Sequence, residues 1–335
     1  MNRQTEIRTA EECGRGESQD MTVESLCEIW EDSVRSSVKP STYACYLTLI
    51  EKHIQAELGS ISAGELTNRM ILEFVRKKQR QGLSAGTVRL LLFLMKRIVQ
   101  AGKERGIWPA EELSFRQPRQ LSERKSMMEW EDFHKILGHL LHSRRSFDLG
   151  LLISLSTGIR VGELCGIKWG DLDLKAGILR VRRTVSRIRN VDAKEQEKLS
   201  AEKQRKTIVQ IGPPKTETSV RDIPLPQFLV EQLRERHEER RFSSQAYVLT
   251  GSVRFMEPRG VQRRFKNLLK KCGIEPVNIH SLRHSFASKW IENGFDSKAL
   301  SEILGHSSVK ITMDIYVHSS MRQKKSYMDR VMDGL

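Results

Sequence analysis

Apolar residues recur through the first third of the chain at the three- and four-residue spacing of helices that bury one face. Leu26, Ile29 and Trp30 mark a first helix. Pro40-Ser41-Thr42 opens a second, with Tyr43, Tyr46, Leu47, Ile50 and Ile54 on one stripe. Proline suits a first helical turn, where its missing N–H would have had no partner. Thr67-Asn68 starts a third helix that buries Met70, Ile71, Phe74 and Val75 and leaves Arg76, Lys77 and Lys78 outside. Ser84 caps a fourth, rich in Leu90, Leu91, Phe93, Leu94, Ile98 and Val99. Residues 21–110 therefore predict a compact helical bundle with basic residues on its polar faces. The polar segment 1–20 has no apolar period and predicts a disordered tail.

The pattern lapses over residues 111–128, where charges and a proline outnumber apolar positions, as in an extended linker. Helical periodicity returns at Glu129 and runs through the apolar stretch from Leu149 to Ser156. Residues 178–185 and 221–225 predict strands. Between them, residues 189–209 carry Asp192, Lys194, Glu195, Glu197 and Lys198 with almost nothing apolar, which predicts an exposed insertion in a β-hairpin. Helices resume near Gln227 and again from Arg259. Residues 129–320 thus form a second, mixed domain. At the end, residues 321–335 place Met328, Val331, Met332 and Leu335 on one helical stripe. The expected fold is mainly α with a small antiparallel β-sheet: a helical bundle followed by a mixed α+β domain.

Composition narrows the partner. A length of 335 residues suits two domains, and the formal net charge is +15. Lysine and arginine release counterions when they meet phosphates, so a polyanion is the natural counterpart, nucleic acid first. Charge alone also fits a ribosomal or anionic-membrane partner. The first residues carry charges and no apolar segment of a signal peptide, and no apolar run approaches a membrane span. Five scattered cysteines give neither a disulfide framework nor a zinc spacing, so a reducing, cytoplasmic setting is expected.

Four short clusters hold the candidate chemistry. Arg160 follows Thr157-Gly158-Ile159, where the glycine lets the backbone turn into a new helix. Glu163 could orient its guanidinium or cap that helix. Lys215 sits among Pro213, Pro214 and Thr216, a hairpin tip from which an amine can reach outward. His280, Arg283 and His284 share a helical face. A metal pair at His280 and His284 is disfavoured, because Ser281 stands where a zinc protease has glutamate and Arg283 would repel a cation. His284 also fits a buried core histidine. Leu304-Gly305-His306 precedes Tyr316 by ten residues. Each cluster alone has a bland reading as surface or core. Together they supply two guanidiniums, a lysine, two imidazoles and a phenol, a set suited to holding a phosphodiester while a tyrosine attacks it.

In order and in surrounding text (Thr157-Gly158-Ile159-Arg160, Lys215-Thr216, His280-Ser281-Leu282-Arg283-His284, Leu304-Gly305-His306, Tyr316), the chain resembles the tyrosine recombinase, or phage integrase, family. The resemblance implies a two-domain clamp on double-stranded DNA, with residues 21–110 as a DNA-binding domain and 129–320 as the catalytic domain. It implies site-specific recombination through a covalent 3′-phosphotyrosyl intermediate without metal or nucleotide cofactor; integration or excision of a mobile element is the expected role, and the sequence does not distinguish it from chromosome-dimer resolution. Tyr316 would be the nucleophile, Arg160 and Arg283 the phosphate clamp, and Lys215 the acid for the leaving 5′ oxygen. His280 would handle the tyrosine proton, and His306 would hydrogen-bond the phosphate. It also implies a homotetramer on synapsed DNA linked by residues 321–335, with an accessory DNA-bending or directionality protein as a further partner. The alternatives are a type IB topoisomerase-like relaxing enzyme and a non-catalytic DNA-binding protein on the same fold. Two departures stand out: the insertion before Lys215 is longer than a simple hairpin needs, and the tail is short for the arm-binding domain of some integrases.

Overall fold

The computed structural model describes residues 21–107, 112–116, 128–191, 206–214, 217–316, 325 and 328–329. The expected tail at 1–20, Lys215, the middle of the charged insertion and most of the 111–128 and 321–335 segments lie outside the described residues. Internal contacts group the chain into two units, Met1–Glu123 with Ile188–Ile208, and Arg124–Arg187 with Val209–Leu335.

The N-terminal unit is built from α1 (Val23–Val34), α2 (Pro40–Leu49), α3 (Asn68–Arg80) and α4 (Ala85–Lys103). The second helix runs on through a π-helical stretch, Ile50–Gln55, to Leu58. The caps are where the sequence puts them. Thr67 accepts a hydrogen bond from the Met70 N–H and Ser84 from the Thr87 N–H, each satisfying a first-turn donor that the helix leaves unpaired. Ile50, Ile54, Leu91, Leu94 and Ile98 are buried at the centre. Each such side chain contributes about 1.5–3 kcal/mol by leaving water. Lys78, expected on the polar face, is instead buried, with its ammonium 2.5 Å from Glu57. A buried ammonium needs such a partner, and residue spacing cannot reveal one 21 positions away.

The second unit is organised around α6 (Ser146–Thr157), which is apolar on every side and almost wholly buried. Preceding it is α5 (Trp130–His142), and a left-handed turn at Gly158 leads from it into α7 (Val161–Gly166). A three-stranded antiparallel sheet follows, ordered β1 (Leu172–Asp173), β2 (Ile178–Val181), β5 (Arg221–Pro224), with Leu179 opposite Ile223 and Val181 opposite Arg221. The expected single strand over 178–185 is two: the chain leaves β2 after Val181 and re-enters an extended path as β3 (Thr184–Arg189). Arg183 at the break bonds the Gly166 carbonyl and Asp171, tertiary partners that turn the backbone. A further strand, β4 (Thr207–Gly212), pairs with β3, so the charged insertion is shorter than the pattern implied. The unit continues with α8 (Gln227–Arg240), α9 (Pro258–Lys271), α10 (His280–Glu292), α11 (Ser297–Leu304) and α12 (Val309–Tyr316). The architecture is mainly helical with small sheets, as expected. Among the described residues, no helix is long and apolar enough to cross a membrane.

Candidate active site

Two helix ends and one strand converge on the turn that joins α11 to α12. Gly158 ends α6 with φ +63°, and a Cβ there would lie 2.7 Å from Phe286 and 2.8 Å from Leu304. The glycine therefore permits both the turn and the close approach of α10 and α11. Arg160 then sits at the N-cap of α7, its side chain 36% exposed. Glu163 does both things the sequence allowed. Its Oε2 accepts the Arg160 backbone N–H at 3.0 Å and its Oε1 accepts the guanidinium at 2.9 Å. The other end of that guanidinium donates to the Gly305 carbonyl at 2.9 Å.

Arg283 is buried on the first turn of α10 and donates to the carbonyls of Gly158 (2.8 Å) and Leu304 (3.0 Å). The same guanidinium lies 2.8 Å from His306 Nε2, and His306 Nδ1 lies 2.8 Å from the Thr312 hydroxyl. A guanidinium only donates, so Nε2 must be the acceptor, and the neutral ring then carries its proton on Nδ1. Burial first, and then the charges of Arg283, Arg160, Arg221 and the neighbouring His284, pull the imidazole down from 6.5 to about 4. In this arrangement both ring nitrogens are engaged, Nε2 by Arg283 and Nδ1 by Thr312.

Arg160, Arg283 and His306 are thus joined through the backbone of 304–305. His280 opens α10 three residues before Arg283 and is exposed. Tyr316 closes α12, four residues after Thr312. Lys215 lies outside the described residues.

Sequence reasoning missed Arg221 as part of this cluster. It stands on β5 with its side chain 7% exposed, contacts both Glu163 oxygens at 3.3 and 3.1 Å, and donates to the carbonyls of Ser219 and Ile303. Burial alone would raise the Glu163 carboxyl, but Arg221 and then Arg160 outweigh it and hold it below the ordinary 4.5. The signal was present in the strand. Arg221 shares the period-two face of buried Ile223 and Leu225, where an arginine needs a carboxylate.

Comparison with known proteins gives the family. Residues 128–323 match the Phage integrase family, and residues 22–79 match the Phage integrase, N-terminal SAM-like domain. A "Tyrosine recombinase XerC-like" protein of Caldanaerobacter subterraneus subsp. tengcongensis is 28% identical over 94% of this chain and 84% of its own. The ICEBs1 integrase of Bacillus subtilis is 24% identical over 95% and 84%. Among solved structures, the Tn1549 transposon integrase in complex with transposon right end DNA shares the fold, with a TM-score of 0.72. It is 21% identical over 93% of this chain and all of that one. The chain belongs to the phage integrase family, the site-specific tyrosine recombinases.

Proposed function

We propose that the protein cuts and rejoins duplex DNA through a 3′-phosphotyrosyl intermediate to integrate and excise a mobile element. The Tyr316 oxygen would attack the scissile phosphorus as the P–O bond to the 5′ oxygen breaks. Lys215 would supply that oxygen with its proton, and His280 would accept the tyrosine proton. Arg160 and Arg283 would hold the non-bridging oxygens and stabilise the charge that grows on them. His306, placed against Arg283, would hydrogen-bond the phosphate. The phosphotyrosyl bond conserves the phosphodiester energy, so a second 5′ hydroxyl could reverse the step without ATP.

The observation that carries this reading is the pair of arginines braced through one glycine turn, with a histidine kept neutral beside them. Such bracing fixes the guanidinium planes before a phosphate arrives, which is how preorganised donors lower a barrier. The mobile-element role draws on the ICEBs1 and Tn1549 relatives, whose names tie them to such elements. On the same reading, protomers would assemble as a tetramer on synapsed DNA in the cytoplasm, linked through residues 321–335, with an accessory DNA-bending or directionality protein choosing the direction.

The test uses a nicked suicide duplex bearing a site selected by the protein from a random-sequence library. Wild type should leave a protein–DNA band on a denaturing gel. Tyr316→Phe should bind the same duplex and leave none, and an adduct from the variant would remove Tyr316 from the nucleophile role.

A further inference from the structure

Arg221 lies six residues past Lys215 in the chain and belongs to none of the four clusters that define the site, yet it bonds both the carboxylate beside Arg160 and the turn that holds Arg283. Its guanidinium meets both oxygens of Glu163, the carboxylate that also holds the Arg160 side chain and backbone. Its Nε donates to the Ile303 carbonyl, one residue before the Leu304 carbonyl that orients Arg283 and two before the Gly305 carbonyl that orients Arg160. Gly305 is shaped around it as well. With φ +65° and Arg221 atoms 2.9–3.2 Å from the position a Cβ would take, no other residue fits there without displacing the guanidinium.

Charge points the same way. Among the described residues, the group bonded together around the turn holds three guanidiniums, Arg160, Arg221 and Arg283, and one carboxylate, Glu163, with His306 neutral. That group carries a surplus of two positive charges, and a phosphodiester gains a second negative charge on its way to a five-coordinate transition state. If Arg221 were absent, Glu163 would pair with Arg160 alone and cancel the charge that Arg160 has to offer a phosphate.

We propose that Arg221 is a positioning residue of the recombination site: it neutralises Glu163 and buttresses the 303–305 turn, so that Arg160 and Arg283 face the scissile phosphate at full charge and in fixed orientation. The proposal rests on the recombinase reading above, and Arg221 acts only through those neighbours.

The variants are Arg221→Met, which keeps bulk and loses charge, and Arg221→Lys, which keeps charge and loses the fork. With folding checked by thermal melting, Arg221→Met should form covalent adduct on the suicide duplex about 100-fold more slowly, the penalty expected of misplaced catalytic groups. Its DNA affinity should stay within about threefold of wild type, because what is lost is stabilisation of the transition state. Arg221→Lys should regain about tenfold of the lost rate, since charge without bidentate geometry is a partial substitute.

A second readout needs no catalysis. His306 is surrounded by Arg283, Arg160, Arg221, His284 and Thr312. Removing one of those cations should raise its titration midpoint above wild type, as read by NMR of 13C-labelled histidine. An Arg221→Met protein that cleaves within about threefold of wild type would overturn the proposal. So would loss of cleavage matched by equal loss of DNA binding, with Arg221→Lys no better and the His306 midpoint unmoved. If wild type itself forms no adduct, the recombinase reading fails, and the His306 titration still judges Arg221.

Discussion

Glu31 and Glu163 are both carboxylates drawn out of water, and burial pushes both toward the protonated form, yet they end on opposite sides of the ordinary value of 4.5. Glu31, in the N-terminal unit, has one oxygen buried without a partner among the described residues. Burial, then Glu51, Glu28 and Asp32, push it up to about 7, and Arg189 opposes them only in part. Arg189 is already committed to Glu51 by two hydrogen bonds of 2.6 and 2.8 Å. Glu163 lies deeper, but two guanidiniums face it and its carboxyl stays low. Burial raises both carboxyls; the neighbouring charges decide whether that rise stands. Carboxylates outnumber cations around Glu31, whereas cations outnumber carboxylates around Glu163, and only the second arrangement suits a region that has to receive a phosphate.

Breaking the catalytic cluster should have the largest effect. Glu163→Gln removes the charge that Arg221 was buried against, and an orphaned buried charge costs about 3–5 kcal/mol. Chemical denaturation at neutral pH should show that loss, and adduct formation should fall with it. The pH dependence follows from the lowered carboxyl. Its stabilisation is present above the ordinary 4.5 and is lost as pH falls through that value toward the lower folded one. Wild type should therefore lose more stability on acidification than Glu163→Gln.

Gly305→Ala comes next. Left-handed backbone costs an alanine about 1–2 kcal/mol, and its methyl group would press on the Arg221 guanidinium. The variant should melt several degrees lower and cleave more slowly than its loss of stability explains, as read by adduct rate at a temperature where it is fully folded.

How far the sequence reveals this contrast depends on how local each feature is. The capped helices were legible because Thr67, Ser84 and Pro40 act within their own first turns. Strand β4 was not, because Thr207 to Gly212 is partly exposed on both faces and leaves no apolar alternation to read. Arg160, Arg283 and His306 stood out as a set of residue types suited to phosphate. That His306 is held by Arg283 and Thr312 is a tertiary fact, 23 residues apart in the chain for the first pair. Arg221 was readable in principle, as the one charge on the inward face of its strand. Whether Glu31 titrates high depends on Glu51 and Arg189 arriving from distant segments, which no local pattern announces.

The smallest expected effect reverses the sign. Glu31→Gln removes a carboxylate that the fold prefers protonated. In wild type that preference adds stability below about 4.5, and the contribution is lost as pH rises toward the folded value of about 7. The substitution should raise stability at pH 8 by about 1 kcal/mol, allowing for partial solvent screening, and flatten the pH dependence between 5 and 7. Thermal melts of both proteins at pH 5 and pH 8 would check it. A variant less stable than wild type at pH 8 would mean that Arg189 satisfies Glu31 after all.

The central claim is that the cationic surplus around Glu163 serves the charge on a phosphate, and replacing one non-bridging oxygen by a methyl group tests it most directly. A methylphosphonate at the cleavage position carries no negative charge, so the arginine that answers that charge becomes dispensable. Arg160→Ala should form adduct on the ordinary suicide duplex about 100-fold or more below wild type. On the methylphosphonate duplex it should recover most of that deficit relative to wild type on the same substrate. An equally deep deficit on both duplexes would mean that Arg160 does not answer the phosphate charge, and would contradict the account.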